Sequence, residues 1–175
     1  MTTHAMAAGD DRTESAGAAA MRAHGAVVAR VCMALLGDAA ATERALESVA
    51  REAGTITFDA EKSALVRLLG LARAACANQL SNHARLPIRT TAAWNDAADP
   101  LSRRPATTRD GAREAVVARA SLGKLKPTER EAVVLHLVGG LDAAQIAEAC
   151  GIDLETARQR VARGVSQLVQ EEKKR

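Results

Sequence analysis

Aromatic side chains are almost missing from this sequence: one Phe, one Trp and no Tyr among 175 residues, 1% of the chain. Any core must therefore be filled by Leu, Val, Ile and Ala, and an apolar content of 47% supplies enough of them for one domain or two small ones. Short aliphatic chains rich in Ala suit closely packed helices. Cysteine is as scarce. Cys32, Cys76 and Cys150 are isolated, odd in number and without a CxxC spacing, which points away from both a disulfide framework and a zinc site and leaves them as small buried hydrophobes. The opening MTTHAMAAGDDRTESAGAAA has neither a basic leader nor an apolar run, and no run approaches the ~20 residues of a membrane span. A reducing cytoplasm is the default expectation.

Catalytic constellations are also missing. Ser, Cys and His are scattered without a GxSxG elbow, a phosphate-cradling Gly loop or a metal motif, so neither an enzyme nor a cofactor is expected. His136 lies in an apolar helix with no ligand partner at metal spacing, and His4, His24 and His83 stand alone.

Charge is present, and its distribution says more than its total of +3. Residues 1–61 carry five basic and nine acidic groups, residues 62–113 nine and three, and residues 114–175 ten and nine. An acidic front followed by a basic middle suits a protein that meets a basic protein surface and a polyanion, although solvated runs are the commoner cause of such blocks.

Periodicity is helical throughout. Residues 1–22 lack an apolar period and are expected to be a disordered tail. Val27, Val28, Val31, Cys32, Leu35 and Leu36 then form one stripe, ended by Gly37, and Asp38 is placed to cap a second helix that buries Ala45, Leu46, Val49 and Ala50 and stops at Gly54. After a short TITFD loop, Leu65, Leu68, Leu69, Ala72, Ala75, Cys76 and Leu80 line a third helix from about Ala60 to Ala84. Residues 23–85 thus read as a three-helix bundle.

Residues 86–111 hold three of the four prolines and no period, the mark of an interdomain linker that also contains Trp94. A second helical domain, 112–175, follows. Arg113 to Leu122 is one helix closed by Gly123; Pro127, Thr128 and Glu131 open another, which Gly139 and Gly140 close. The fold class expected is all-α: bundle, linker, and a C-terminal helix-turn-helix domain.

That last assignment rests on GLDAAQIAEACGIDLETARQRVARGV, residues 140–165. Asp142 caps a short helix with Gln145 three residues on, Gly151 makes the turn, Ile152 plugs the gap, and Asp153 caps a final helix. Leu154, Ala157, Val161, Val165 and Leu168 fall on one side of this helix, and Glu155, Gln159, Ala162, Arg163 and Ser166 on the other, with Arg158 and Arg160 on the flanks. Amide and guanidinium groups then stand where base edges would lie, and arginines where phosphates would lie.

The run LGKLKPTEREAVVLHLVGGLDAAQIAEACGIDLETARQRVARGVSQL resembles the fourth, promoter-recognising region of the extracytoplasmic-function (ECF) group of sigma-70 family sigma factors. Leu125, Pro127, Arg130, Gly140, Ile146, Ala147, Glu148, Gly151, Ile152, Thr156, Arg158, Arg160 and Arg163 carry the match over residues 122–168, within a family run of Thr-Val-Lys-Ser-Arg and a later Arg. Response-regulator helix-turn-helices usually have His where Arg160 stands. The resemblance implies DNA binding by Glu155, Thr156, Arg158, Gln159, Arg160 and Arg163, with Arg160 on phosphate or bracing the fold.

Further upstream, VCMALLGDAAATERALESVAREA is similar to the second region of that family, where a helix docks on the polymerase clamp. This implies polymerase binding through Asp38, Glu43 and Glu47, although Arg44, Glu47 and Ala50 replace the family's Asp, Gln and aromatic. In LVRLLGLARAACANQL only the frame of the family's next helix is kept. Base capture during promoter opening usually rests on stacking, and Phe58, in the loop where the family holds its flipped base, is the candidate, with Arg67 and Arg73 behind it. A Phe beside Ile56 is more often a core plug.

The expected function is that of a sigma factor that recruits core RNA polymerase to promoter DNA, with an anti-sigma factor as a further partner and no membrane. Two alternatives stand beside it: a degenerate sigma-like DNA-binding regulator without promoter-melting activity, and an anti-sigma-interacting protein for which DNA contact is incidental.

Overall fold

In the computed structural model, residues 15–58, 63–83, 118 and 120–174 are described, and no strand occurs among them. Three helices, α1 (Ala16–Leu36), α2 (Ala39–Ala53) and α3 (Ala64–His83), pack on one another in pairs. A helical segment at 120–124, α4, leads to α5 (Pro127–Leu137), α6 (Ala143–Cys150) and α7 (Leu154–Lys173).

The start of α1 corrects the expected tail, because residues 16–22 are helical and only the residues before Ser15 lie outside the described part. Ser15 caps the helix, its Oγ accepting from the Ala18 N–H at 3.2 Å. Gly17 explains why the chain is small here. A Cβ at this position would lie 1.9 Å from the Ala53 carbonyl oxygen, so α1 reaches the end of α2 through a gap only glycine leaves. By length and mean hydropathy, 1.4, α1 could cross a bilayer, yet Val28, Val31 and Cys32 are fully buried against the other helices.

Gly37 ends α1 with φ 71° and donates its N–H to Met33, and Asp38 caps α2, accepting from Ala41 N at 2.7 Å. The α2 core stripe is Ala41, Ala45, Val49 and Ala53, with Thr42 beside it; Ala50, expected inside, is exposed because the stripe advances by four residues, from Val49 to Ala53. On α3 the expected Leu68, Leu69, Ala72, Ala75 and Cys76 are buried, Val66 joins them, and Leu80 is 49% exposed near the helix end. Val66 is buried because α3 is covered on two sides, by α1 and α2 and also by α6.

Gly123 sits inside α4, which runs to residue 124, so the expected stop falls two residues late. Leu125 then turns inward and Pro127 opens α5.

The two helical groups share one core. Leu68, Leu69, Ala72 and Val49 belong to the same buried cluster as Ala132, Leu135, Leu141, Ile146 and Ala157. At the junction α6 lies on α3 and α5 on α1. Gly70 lets the backbone of Ala149 approach, the Leu69 side chain reaches Gly139, and Arg73 pairs with Glu131 at 3.5 Å. The expected linker 86–111 and Trp94 lie outside the described residues.

Candidate nucleic-acid interface

The turn between α6 and α7 follows from four local choices. The Asp142 carboxylate accepts from Gln145 N at 2.8 Å while the Gln145 side chain accepts from Asp142 N at 3.0 Å, a reciprocal capping box. Gly151 closes α6 in the left-handed region at φ 64°. Ile152 is half-buried against the core, as a plug between the helices. Asp153 then caps α7: Oδ1 accepts from Thr156 N at 2.8 Å and Oδ2 from the Thr156 hydroxyl at 2.6 Å. Those bonds, the hydroxyl first, hold the Asp153 carboxyl below its ordinary range. Thr156, expected on DNA, thus spends its hydroxyl on the cap.

The α7 helix divides much as its sequence pattern predicts, except that Leu154, expected on the inner side, is exposed in the first turn. Ala157 is fully buried, Val161 packs against the core, and Gly164 crosses α5 so closely that a Cβ would sit 2.4 Å from the Val133 methyl Cγ2. Glu155, Arg158, Gln159, Ala162, Arg163 and Ser166 are exposed. Three of them form a ladder along the axis. Gln159 Nε2 donates to Glu155 Oε1 at 3.0 Å, and Arg163 Nη2 donates to Gln159 Oε1 at 3.4 Å. Arg160 is half-buried and its charge reaches the Cys150 thiol, a place that suits bracing the fold. Far along α7, Glu171 is held low by Lys124 and then Lys174, tying the helix to the end of α4.

Cys150 ends α6 within this module, and Cys32 and Cys76 lie in α1 and α3. Burial, followed by the nearby Glu131 charge, pushes the Cys150 thiol up to about 11. Cys76, in the core between α1 and α3, is pushed up by donating its S–H to Cys32 and by burial. All three are free thiols. The His136 ring Nδ1 is 2.8 Å from the Leu141 carbonyl oxygen, which places it as a boundary residue of the α5–α6 turn.

On the other group, Asp38, Glu43 and Glu47 are exposed on α2 and its cap, with one Asp38 oxygen used in capping. Arg44, between them, donates through Nε to Gln79 of α3 at 3.2 Å. Phe58 is half-buried and packs against the core, and Arg67 donates to the Thr57 carbonyl oxygen at 2.9 Å, bracing the loop. Arg73, expected behind Phe58, faces the junction instead, where its Nε is buried with no hydrogen-bond partner. Sequence reasoning missed the junction role of Gly70, Arg73 and Glu131. Only the small residue and an opposite-charge pair far apart in the chain could have signalled it.

Comparison with known families agrees with this geometry. Residues 116–168 match the family described as Sigma-70, region 4. Across most of its length the chain is similar in fold to CnrH, solved in complex with the cytosolic domain of CnrY: TM-score 0.65, 14% identity, covering 90% of this chain and 87% of that one. No curated protein matches. Residues 116–168, which hold the helix-turn-helix, are thus similar to sigma-70 region 4. Over most of the chain the fold is that of CnrH.

Proposed function

We propose that the chain acts as an ECF-type sigma factor, a cytoplasmic, non-catalytic protein that brings core RNA polymerase to promoter DNA. The observation that carries this is α7: its inner face is locked by Ala157, Val161 and Gly164, while Arg158, Gln159 and Arg163 stand exposed on a capped helix-turn-helix. Arg158 and Arg163 serve phosphates and base edges, and Arg160 braces the fold. Asp38, Glu43 and Glu47 form the acidic surface offered to polymerase. An anti-sigma factor is the further partner, on the precedent of CnrH held by the cytosolic domain of CnrY.

A second reading is favoured by Phe58, whose packing against the core leaves the loop without an exposed aromatic among its described residues. In that reading the protein binds DNA and polymerase but does not melt the duplex. Transcription reconstituted with core polymerase of the same host, on the promoter of the chain's own operon, separates the two. Transcripts support the sigma factor; a ternary complex without transcripts supports the second reading; neither complex nor DNA binding overturns both.

A further inference from the structure

The ladder on α7 contains a residue that a DNA-facing helix would be expected to avoid. Glu155 carries a negative charge toward a polyanion, which by itself weakens binding to every sequence. Its place in the first turn suits the helix dipole, but Asp153 already caps that end. A different role follows from what its carboxylate touches.

Gln159 has an amide that could stand either way round. With Nε2 toward Glu155 and Oε1 toward Arg163, both neighbours are satisfied. Flipped, the amide would set its carbonyl against a carboxylate and its NH2 against a guanidinium, two repulsive contacts in place of two attractive ones. Glu155 and Arg163 therefore fix one orientation. In it, Gln159 keeps one N–H and one lone pair unspent, and that pair complements the N7 acceptor and N6 donor of adenine in the major groove. The resembled family run has Ser at this position, so the amide is a feature of this chain.

Building on the groove-reading role of α7, we propose that Glu155 is a positioning residue for base recognition: it orients the Gln159 amide toward an adenine and exchanges some overall affinity for selectivity at that one base pair. Gln159 makes the contact; Glu155 acts through it. Arg163 contributes from the other side and keeps its own spare donors for a neighbouring base or phosphate.

The test is selection from a randomised duplex library with the full chain and with Glu155→Ala, Glu155→Gln and Gln159→Ala, helix content being checked by circular dichroism. Gln159→Ala should erase a preference of about tenfold for A·T at one position. Glu155→Ala should lose most of the preference at that same position, leave the others intact, and bind bulk DNA more tightly. Glu155→Gln, which keeps an acceptor for the Gln159 amide, should restore much of it. If Glu155→Ala changes affinity equally for all sequences, or alters a position other than that of Gln159→Ala, the positioning role is wrong while the groove-reading role stands. If the unaltered chain selects no sequence at all, the groove-reading role itself is overturned, and the positioning role with it.

Discussion

Gly164 shows how much a single side chain decides at the α5–α7 crossing. Its missing Cβ leaves room for the fully buried Val133, whose Cγ2 would otherwise be 2.4 Å away. Gly164→Ala would gain up to about 1 kcal/mol in helix propensity, but overpacking a well-filled core costs about 1–3 kcal/mol. The net change expected is a loss of stability, read as a lower denaturant midpoint at unchanged m-value. Asp153 decides the other end of the helix. Its carboxyl is depressed by the Thr156 hydroxyl and N–H, so the cap's contribution is fully present above the unfolded-state value of about 3.9. It is lost as pH falls through the lower folded-state value. Amide exchange at Thr156 should therefore quicken, relative to intrinsic rates, only on acidification below the unfolded-state value; quickening already at neutral pH would contradict the cap.

Elements differ in how far their sequence reveals them. Most caps and stops were legible because each rests on chemistry local to the chain: Asp38, Asp142 and Asp153 accept from backbone N–H groups three residues on, and Gly37 and Gly151 supply the left-handed turns, Ser15 and Gly123 being the exceptions. The exposed and buried faces of α7 were legible from Ala157 onward for the same reason, since one period governs both, while Leu154 at the helix start is exposed. What hid was everything set by a distant neighbour. The first turns of α1 look featureless because their role is to be small against the Ala53 carbonyl, and no period records that. Gly17→Ala should push α1 from α2 and lower the melting temperature, whereas Ala18→Ser, at an exposed position on the same turn, should leave it nearly unchanged. Equal effects would mean that the turn does not pack. Ala50 was misplaced because the α2 stripe steps by four residues, from Val49 to Ala53, and Leu80 because it falls near the end of α3, past its last buried residue, Cys76.

The molecule as a whole is more unified than its sequence suggests. A proline-rich stretch divides the chain into two helical groups, yet α3 packs on α6 and α1 on α5, and one buried cluster runs through both. Leu69 lies at the centre of that union, fully buried and touching the α5–α6 turn beside Gly139. Leu69→Ala should cost about 2–5 kcal/mol and change one cooperative unfolding transition into two, as the halves lose their shared core. A single transition, shifted as a unit, would mean that the junction rests on other contacts. The Arg73–Glu131 pair is one of these, though an ion pair with both side chains partly exposed contributes little by itself.

From a core to which both halves contribute, α7 turns Arg158 and Arg163 outward, and the proposed function rests on DNA binding through them. Its most direct test is the affinity of the full chain for duplex DNA across a range of salt, compared with Arg158→Ala and Arg163→Ala. Each variant should bind more weakly, and the slope of log affinity against log salt should flatten by about 0.9 for every phosphate the missing guanidinium no longer neutralises. Unchanged affinity and an unchanged slope in both variants would contradict DNA binding through α7.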